Sequence, residues 1–469
     1  MIVLNTIAYL LFLAAIGYYT ITSLQWYSYK LDRVVFHHTK PWWNLVYFLI
    51  PFALYAFAAS VSSYGWVVAL AYLPLLFVWY RGLDKPLVWT QRVKLFFGVL
   101  MLFGVLFAFA SPYKAVFIPI LIAHGVSVLI EKIRFAGFQR QAKGKLDGMN
   151  DLVIVGITAS YGKTSIKNIL AHLLKAKYRT YATPRSVNTL GGVVKDINVD
   201  LPEDTEVYIV EMGARGEGDI AEISTFVRPH YAIVGTVGPA HIEYFKTLEN
   251  IRNTKMEILQ SDRIKEAWVH SSAHVQPTEQ VYVFGDDITD VEATLEGTAF
   301  TLDGVRYQAS LLGAFNATNL AAAIHVAQAL GLDEATIQQQ LTTLEATPHR
   351  LQRIDAGGKV ILDDSFNGNI DGMLASFDLV ATYPGRKVVI TPGLVEADDA
   401  LNEQIAKRAN DVFDLVIVTG DLNYTLFQKH IDADKLLKLE TKAQMEAMLA
   451  EQTRAGDLIL FANDAPSFV

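Results

Sequence analysis

Five apolar stretches fill most of the first 133 residues, and they constrain the fold more than any other feature of the sequence. They cover roughly residues 3–23, 42–62, 66–80, 95–110 and 113–131. Several approach the ~20 residues that a helix needs to cross the hydrocarbon core of a bilayer. The sequence therefore predicts about five transmembrane helices, although the third is short enough to be re-entrant. A cleaved signal peptide is the alternative for the first stretch, which lacks a basic start and a clear cleavage site.

Charge in the connecting segments predicts the orientation of these helices. Lys and Arg are concentrated after the first, third and fifth stretches, whereas the other two connections carry almost no charge. Because positive loops stay in the cytoplasm, we expect a multi-pass protein of the cytoplasmic membrane. Its N-terminus would lie outside and everything after residue 133 inside. The stretches have no charged centre, which favours an anchor over an ion pathway. Residues 134–150 are predicted to form a basic, amphipathic linker along the anionic inner leaflet.

Composition excludes several functional classes. The formal net charge of -8 disfavours a general nucleic-acid role. The chain has no cysteine, which excludes disulfides, thiolate nucleophiles and cysteine-ligated metal centres.

From residue 151 the pattern changes to strands that alternate with helices. This alternation is typical of doubly wound α/β domains. The predicted fold class is an α-helical membrane region followed by a central doubly wound α/β domain at about 151–346. A smaller C-terminal α/β domain would occupy about 347–469, with strands in KVILDD, RKVVIT, LVIVTG and DLILFA.

The stretch DLVIVGITASYGKTSIKNIL, residues 151–170, reads as a buried strand, a glycine turn and a helix start. A phosphate loop uses such a turn to surround phosphate oxygens with backbone N–H groups and a helix N-terminus. Lys163 would then reach the outer phosphates and Thr164 would bind magnesium. The strict spacing fails by one place, because Ile157 stands where glycine is required and Gly156 comes one residue earlier. An ordinary strand–helix turn is the alternative.

With the glycine one place earlier, the stretch has the spacing of another motif. GITASYGKTS resembles the ATP loop of the Mur ligase superfamily, G-x-T-G-x-x-G-K-T/S, with Ala159 in place of a glycine. VEMGARGEGDI, TVGPAHIEYFKTLENIRNTKMEIL, GAFNATNLAAA and DDSFNGN resemble further motifs in family order. The last is similar to D-D-S-Y-N-A-N of the branch that adds D-alanyl-D-alanine to a UDP-N-acetylmuramoyl tripeptide. The resemblance covers residues 151–370.

The resemblance implies ATP and Mg²⁺ as cofactors and assigns residues to four roles. The residues expected to bind ATP are Gly156, Thr158, Ser160, Gly162, Lys163, Thr164, Ser165, Asn316, Asn319, Arg350 and Asp364. The expected metal ligands are Thr164, Glu211, His241 and Lys255, the last as a carbamate. The expected catalytic residues are Lys163, His241, Lys255 and Arg350. The candidate substrate contacts are Asn188, Thr189, Ser365, Asn367 and Asn369.

Each assignment has a structural alternative. Glu211 and Lys255 could be solvated, His241 a neutral surface residue, and Asn316 a helix cap. Arg350 and Asp364 could form an interdomain salt bridge. The segments around 183–192 and 365–369 could be plain turns.

The resemblance implies an ATP-dependent amide ligase of cell-wall precursor synthesis, with a sugar–peptide acceptor and D-alanyl-D-alanine or a similar amine as substrates. The chain departs from the family because residues 1–150 leave no room for the usual UDP-binding domain. One alternative is therefore a ligase that acts on a lipid-linked or other envelope precursor. An alternative from another class is a membrane-anchored, nucleotide-binding scaffold that contacts cell-wall enzymes.

Overall fold

A computed structural model describes residues 2–463 except 28, 37, 39, 62, 63, 84, 111, 241, 367 and 396. Two of the predicted site residues, His241 and Asn367, lie outside the described residues. The chain divides into two compact units, residues 1–140 and residues 141–469.

The first unit is helical, and each of the five apolar stretches lies in a helix. Its helices are α1 (Ile2–Trp26), α2 (Leu31–Phe36), α3 (Trp42–Asn44), α4 (Ile50–Val61), α5 (Gly65–Arg81), α6 (Gln91–Leu106) and α7 (Pro112–Gly148), and a π-helical turn, Leu45–Leu49, joins α3 to α4. Within the described residues, three segments are long and apolar enough to cross a membrane: Val3–Trp26, Trp42–Val61 and Lys114–Gly148. The helix Gly65–Arg81 is apolar but shorter. Membrane insertion itself stays a prediction.

Apolar side chains lie both inside and outside this helical unit. In the interior, Phe12 of α1 stacks on Tyr55 of α4 with ring centroids 4.3 Å apart. On the outside, Phe57, Phe77 and Leu106 are largely exposed. A helix that is apolar on all sides is typical of a membrane span or of a large protein's core.

The predicted linker at 134–150 is not a separate segment. Residues up to Gly148 continue α7, so the fifth apolar stretch and the basic residues after it form one helix of 37 residues. No proline or glycine cap interrupts the helical pattern at residue 134, which explains why the helix continues. The division between the two units falls within this helix.

The second unit begins with a parallel six-stranded sheet in the order β2-β3-β1-β4-β5-β6. Its strands are β1 (Val153–Thr158), β2 (Thr180–Ala182), β3 (Val207–Glu211), β4 (Tyr231–Val234), β5 (Glu266–His270) and β6 (Val281–Phe284). β1 lies between β3 and β4, with Gly156 opposite Val210 on one side and Ala232 on the other. The carboxyl ends of β1 and β3 therefore lie side by side, and Ile157 pairs with Glu211.

Helices and a small antiparallel sheet complete this part of the chain. The helices are α8 (Lys163–Leu174), α9 (Leu190–Val199), α10 (Asp219–Val227), α11 (Ile242–Phe245), α12 (Leu248–Met256), α13 (Phe315–Ala329) and α14 (Glu334–Thr342). The antiparallel strands are β7 (Ile288–Thr294), β8 (Gly297–Leu302) and β9 (Val305–Ala309). Ile166 and Leu170 of α8 share a buried core with Leu320 and Ile324 of α13. This core holds the start of α8 against the sheet.

A second six-stranded sheet has the order β10-β11-β15-β12-β13-β14. Its strands are β10 (Gln352–Ala356), β11 (Lys359–Asp364), β12 (Lys387–Thr391), β13 (Leu415–Thr419), β14 (Leu436–Leu439) and β15 (Leu458–Ala462), and the helices around it are α15 (Ile370–Ala381), α16 (Asp399–Val412), α17 (Tyr424–Phe427) and α18 (Met445–Gln452). β10 is antiparallel to β11, and the other pairs are parallel. Four of these strands coincide with the predicted ones, so the predicted α/β class is confirmed.

Candidate functional site

The loop between β1 and α8 has the backbone of an anion-binding turn. Gly162 has φ = +80°, a left-handed conformation that favours glycine. A Cβ at this position would collide with the side chain of Asn319. The glycine therefore allows both the turn and the close approach of α13. The backbone N–H groups at the start of α8 follow directly, as they do in phosphate sites.

The other predicted residues of the loop have different environments. Gly156 lies inside β1, where a Cβ would come within 2.8 Å of the Met212 side chain. Thr158 ends the strand and is fully buried, and its hydroxyl has no partner among the described residues. Ser160 donates from Oγ to the carbonyl of Gly238 at 3.0 Å. Gly156 is thus a packing position, whereas the residues after Thr158 form the turn.

Lys163 folds back over its own loop. Its Nζ donates to the carbonyl of Ala159 at 2.8 Å and to that of Ser160 at 3.3 Å. Burial lowers the pKa of this ammonium, and the nearby Arg350 charge acts in the same direction, while Glu211 opposes them. The ammonium has no ion pair among the described residues. Its hydrogen bonds to these two carbonyls can therefore be replaced by bonds to a phosphate oxygen.

Glu211 is the centre of the most connected buried cluster at this edge of the sheet. Its Oε2 accepts hydrogen bonds from Thr164 Oγ1 at 3.0 Å and from Lys167 Nζ at 3.1 Å. Its Oε1 accepts one from Asn188 Nδ2 at 3.0 Å. The alternative of a solvated carboxylate is wrong, because Glu211 is 1% exposed. The predicted residues Thr164, Glu211 and Asn188 are thus brought together.

Lys167 belongs to this cluster, although the motifs did not indicate it. It follows Thr164 by three residues on α8, a spacing that places both side chains on one helix face. That spacing was the signal in the sequence, but its partner Glu211 is 44 residues away.

Lys255 is buried in α12 and is 4% exposed, so the alternative of a solvated helix face is wrong. Burial is the main cause that lowers its pKa to about 7, and the charge of Lys163 adds to the effect. Glu257 and Asp219 oppose this shift. Glu257 itself caps α10, because its carboxylate accepts the N–H groups of Gly218 and Ala221. A large fraction of the Lys255 amine is therefore neutral near pH 7.

Asn316 and Asn319 form a linked pair at the start of α13. Asn319 Nδ2 donates to Asn316 Oδ1 at 2.9 Å, and Asn316 Nδ2 donates to the carbonyl of Leu312 at 2.7 Å. Both side chains are buried. These hydrogen bonds hold the two side chains in place, and Asn319 lies against Gly162.

A cleft of about 580 Å³ opens between α8, the end of β2 and the segment that leads to the second sheet. Ser165, Asn168, Asn316, Thr347 and Arg350 are among its lining residues. Asn168 Nδ2 donates to Thr347 Oγ1 at 3.0 Å across it. The cleft adjoins the phosphate loop and is large enough for a nucleobase.

The second sheet contributes Arg350 and Asp364. Arg350 donates to the carbonyl of Phe366 at 3.2 Å, and its guanidinium lies 4.6 Å from the Phe366 ring centroid. Burial raises the pKa of Asp364 to about 6, although the Ser376 hydroxyl and the Arg350 charge favour the ionised form. The alternative of an Arg350–Asp364 salt bridge finds no support, since the described residues form no such pair.

Three of the remaining candidates have local structural partners. Ser365 donates to Asp363 Oδ1 at 2.5 Å, and Asp363 Oδ2 lies 2.7 Å from Nδ1 of His349. Asn369 caps α15 by accepting the N–H of Gly372 at 2.9 Å. Thr189 caps α9 in the same way, by accepting the N–H of Gly192. The structure therefore shows local roles for these three candidates. Sequence spacing did not indicate the His349–Asp363 pair.

Comparison with known proteins gives consistent matches. Residues 157–327 match the family described as Mur ligase middle domain. The UDP-N-acetylmuramoyl-tripeptide–D-alanyl-D-alanine ligase of Synechocystis sp. is 30% identical over 323 residues, which cover 66% of this chain and 71% of that protein. The Bacillus subtilis enzyme of the same name is 27% identical over 360 residues, or 71% of this chain and 78% of that protein. The crystal structure of MurF ligase from Thermotoga maritima in complex with ADP superposes with a TM-score of 0.59 at 26% identity and covers 70% of this chain and 80% of that one.

Proposed function

We propose a function from the premise that this chain belongs to the Mur ligase superfamily, in the branch of the D-alanyl-D-alanine-adding enzymes. The protein is an ATP-dependent, ADP-forming ligase of peptidoglycan precursor synthesis. Its acceptor is a UDP-N-acetylmuramoyl tripeptide and its amine is D-alanyl-D-alanine. The observation that carries this function is the cluster in which Thr164 and Lys167 of the phosphate-loop helix meet the buried Glu211.

The reaction needs positioned charges more than covalent chemistry from the protein. An acceptor carboxylate oxygen attacks the γ-phosphorus of ATP, and ADP leaves. The amine nitrogen then attacks the carbon of the acyl phosphate, inorganic phosphate leaves, and the nitrogen loses a proton. Lys163 can neutralise phosphate charge, because among the described residues its Nζ donates only to carbonyls of its own loop. Arg350 stands at the same cleft and would add a second positive charge.

The residues fit a magnesium ion. Mg²⁺ prefers oxygen ligands and substrate phosphates, and Thr164 Oγ1 and Glu211 Oε2 converge to 3.0 Å beside the phosphate loop. These two residues would hold the ion, which supplies charge neutralisation when bound. Lys255 would support a second ion as a carbamate, which forms when a neutral amine adds carbon dioxide. Its burial and its pKa of about 7 favour the neutral amine that this step needs.

An assay of ATP turnover with each substrate omitted in turn tests this function. We expect ADP release only when a UDP-linked tripeptide and D-alanyl-D-alanine are both present, with the ligated product identified by mass spectrometry. A Glu211→Gln variant removes the carboxylate charge while keeping its shape and should lose this turnover. ATP binding with little or no ADP release in the presence of both substrates would instead support the scaffold hypothesis.

A second candidate function is ligation of a lipid-linked acceptor at the cytoplasmic membrane. It is favoured by the three described helical segments that are long and apolar enough to cross a bilayer, the last of which lies in α7. Positive and neutral connections alternate, so we propose that the catalytic unit lies in the cytoplasm.

Deletion of the residues before Arg134 tests both ideas. The shortened protein should leave the membrane fraction and still bind ATP, because a domain with its own core can stand alone. It should use the UDP-linked acceptor at an unchanged rate and a lipid-linked acceptor much less well. Equal loss for both acceptors with intact ATP binding would give the helical region a role in holding the acceptor. Loss of ATP binding would contradict the anchor interpretation.

A further inference from the structure

Lys167 is a fully buried lysine with two acceptors. Its side chain is 2% exposed, and its Nζ lies 3.1 Å from Oε2 of Glu211, which is 1% exposed. The same Nζ donates to the backbone carbonyl of Arg185. A buried ammonium is retained when it is paired and hydrogen-bonded. The lysine thus joins α8 to two other elements, β3 and the segment of residues 183–189, which we call the 183–189 loop.

Both ends of the 183–189 loop are fastened to the strand that carries Glu211. At its start, Thr183 Oγ1 accepts the backbone N–H of Glu211 at 3.1 Å. At its end, the carbonyl of Asn188 accepts the N–H of Gly213 at 2.7 Å, and the Asn188 side chain reaches Glu211. These contacts leave the middle of the loop as an exposed turn over residues 184–186.

The turn has a conformation that needs support. Arg185 has φ = +48°, a left-handed backbone that is unfavourable for a residue with a Cβ. Such conformations persist where the surrounding structure holds them. The bond from Lys167 reaches the carbonyl of this residue from the buried side. Lys167 is therefore placed to hold the turn in position relative to Glu211 and Thr164.

We propose that Lys167 is a positioning residue that couples the phosphate-loop helix to the 183–189 loop through the carboxylate of Glu211. In this role it touches neither reacting group. It fixes Glu211 beside Thr164 and fixes the loop that carries Asn188, a candidate contact to the acceptor. The proposal extends the ligase function above, because it names what aligns the acceptor side with the phosphate side.

Three variants of the full-length protein, with one control, separate the parts of this role. Lys167→Met removes both bonds and the charge, and Lys167→Arg keeps the charge and the donors. Lys167→Gln keeps a neutral donor and covers the case in which the methionine variant does not fold. Lys195→Met is the control, since Lys195 is an exposed lysine on α9 and its loss changes the net charge equally.

The first readout is hydrogen–deuterium exchange of the protein without nucleotide. In Lys167→Met, peptides that cover 183–190 should exchange about 10-fold faster, because local opening costs less free energy. Peptides from α16 should not change. Lys167→Gln should fall between the wild type and Lys167→Met. Exchange equal to that of the control variant would overturn the proposal. This readout does not depend on the identity of the acceptor.

The second readout compares nucleotide binding with turnover. ATP affinity measured in EDTA should stay within about 2-fold in Lys167→Met, whereas amine-dependent turnover should fall about 10²-fold, because misplaced reactants lose rate rather than binding. Lys167→Arg should recover most of the turnover. A parallel loss of ATP affinity and turnover would show a merely structural role and would also overturn the proposal. Failure of the ligase function itself would appear separately, as wild-type protein without amine-dependent turnover.

Discussion

The two six-stranded sheets place acidic residues at corresponding ends of inner strands but neutralise them differently. Glu211 ends β3 of the first sheet and is in contact with Lys167, Thr164 and Asn188. Asp364 ends β11 of the second sheet, and its carboxylate accepts only a hydroxyl and a backbone N–H among the described residues. The carboxylate of Glu211 therefore has a counter-charge in contact, and that of Asp364 does not.

The lack of a counter-charge in contact affects the pKa of Asp364. Burial raises it to about 6, and the nearby Arg350 lowers it only in part. The buried carboxylate at the end of β3 thus has a lysine in contact, whereas Asp364 and the nearby Arg350 form no ion pair among the described residues, although the arginine's charge lowers the pKa of the acid in part. We therefore expect substitutions at the carboxyl edge of the first sheet to affect turnover more than substitutions of Asp364.

The largest effect is expected from Lys163→Ala at the start of α8, the helix that follows β1 of the first sheet. Its ammonium neutralises charge that exists only when phosphates are bound, so ATP turnover should fall by about 10³-fold. The free energy of unfolding should fall by no more than about 1 kcal/mol, since in the described part of the chain the side chain bonds only to its own loop. Turnover and thermal unfolding measured together check this. A variant that ligates at the wild-type rate would contradict the phosphate-loop assignment.

A smaller loss, of about 10²-fold, is expected for Lys255→Ala, because the proposed carbamate supports one ion rather than the whole phosphate group. Formate or acetate should restore part of the activity by supplying carboxylate oxygens in the vacated space. Lys163→Ala treated with the same salts should stay inactive and serves as the control. Full activity of Lys255→Ala without additive would remove this lysine from the site.

The smallest effect concerns the second sheet and depends on pH. Asp364 becomes protonated as the pH falls through about 6, and a neutral carboxyl group is a weaker acceptor for hydroxyl groups of ATP, which Asp364 is predicted to bind. The KM for ATP should therefore rise about 5-fold between pH 7.5 and pH 5, and Asp364→Asn should abolish this dependence. An unchanged pH profile in Asp364→Asn would assign the effect to another group.

Protonation of Asp364 has opposite effects on ATP binding and on folding: it weakens the predicted binding of ATP but favours the folded state. Because the pKa of Asp364 in the folded state is raised from 3.8 to about 6, its contribution to folding is most favourable below pH 3.8. That contribution is lost as the pH rises through about 6. Asp364→Asn should therefore unfold at a slightly higher temperature than the wild type at pH 7.5.

Much of the architecture could be predicted from local patterns. The apolar stretches coincide with helices in residues 2–148, and the strand–turn–helix around Gly162 lies where the motif placed it. Strands such as β1 and β15 are continuous apolar runs, which favour buried parallel strands. The short edge strand β2, the antiparallel β7–β9 and the hairpin strand β10 were not predicted. They are short or partly exposed and carry no comparable apolar pattern.

By itself the sequence determined the residue types of the site: a phosphate loop, a strand-end glutamate, a lysine in α12 and two asparagines in α13. Only the tertiary structure decided that Glu211 pairs with Lys167, that Asn319 lies against Gly162 and that Lys255 is buried. Spacing along a helix or strand reports which side chains share a face, but it contains no information on which distant element covers that face. Burial and pairing therefore follow from the packing of α8, α12 and α13 around the first sheet. Burial and pairing in turn determine which side chains of the site are charged.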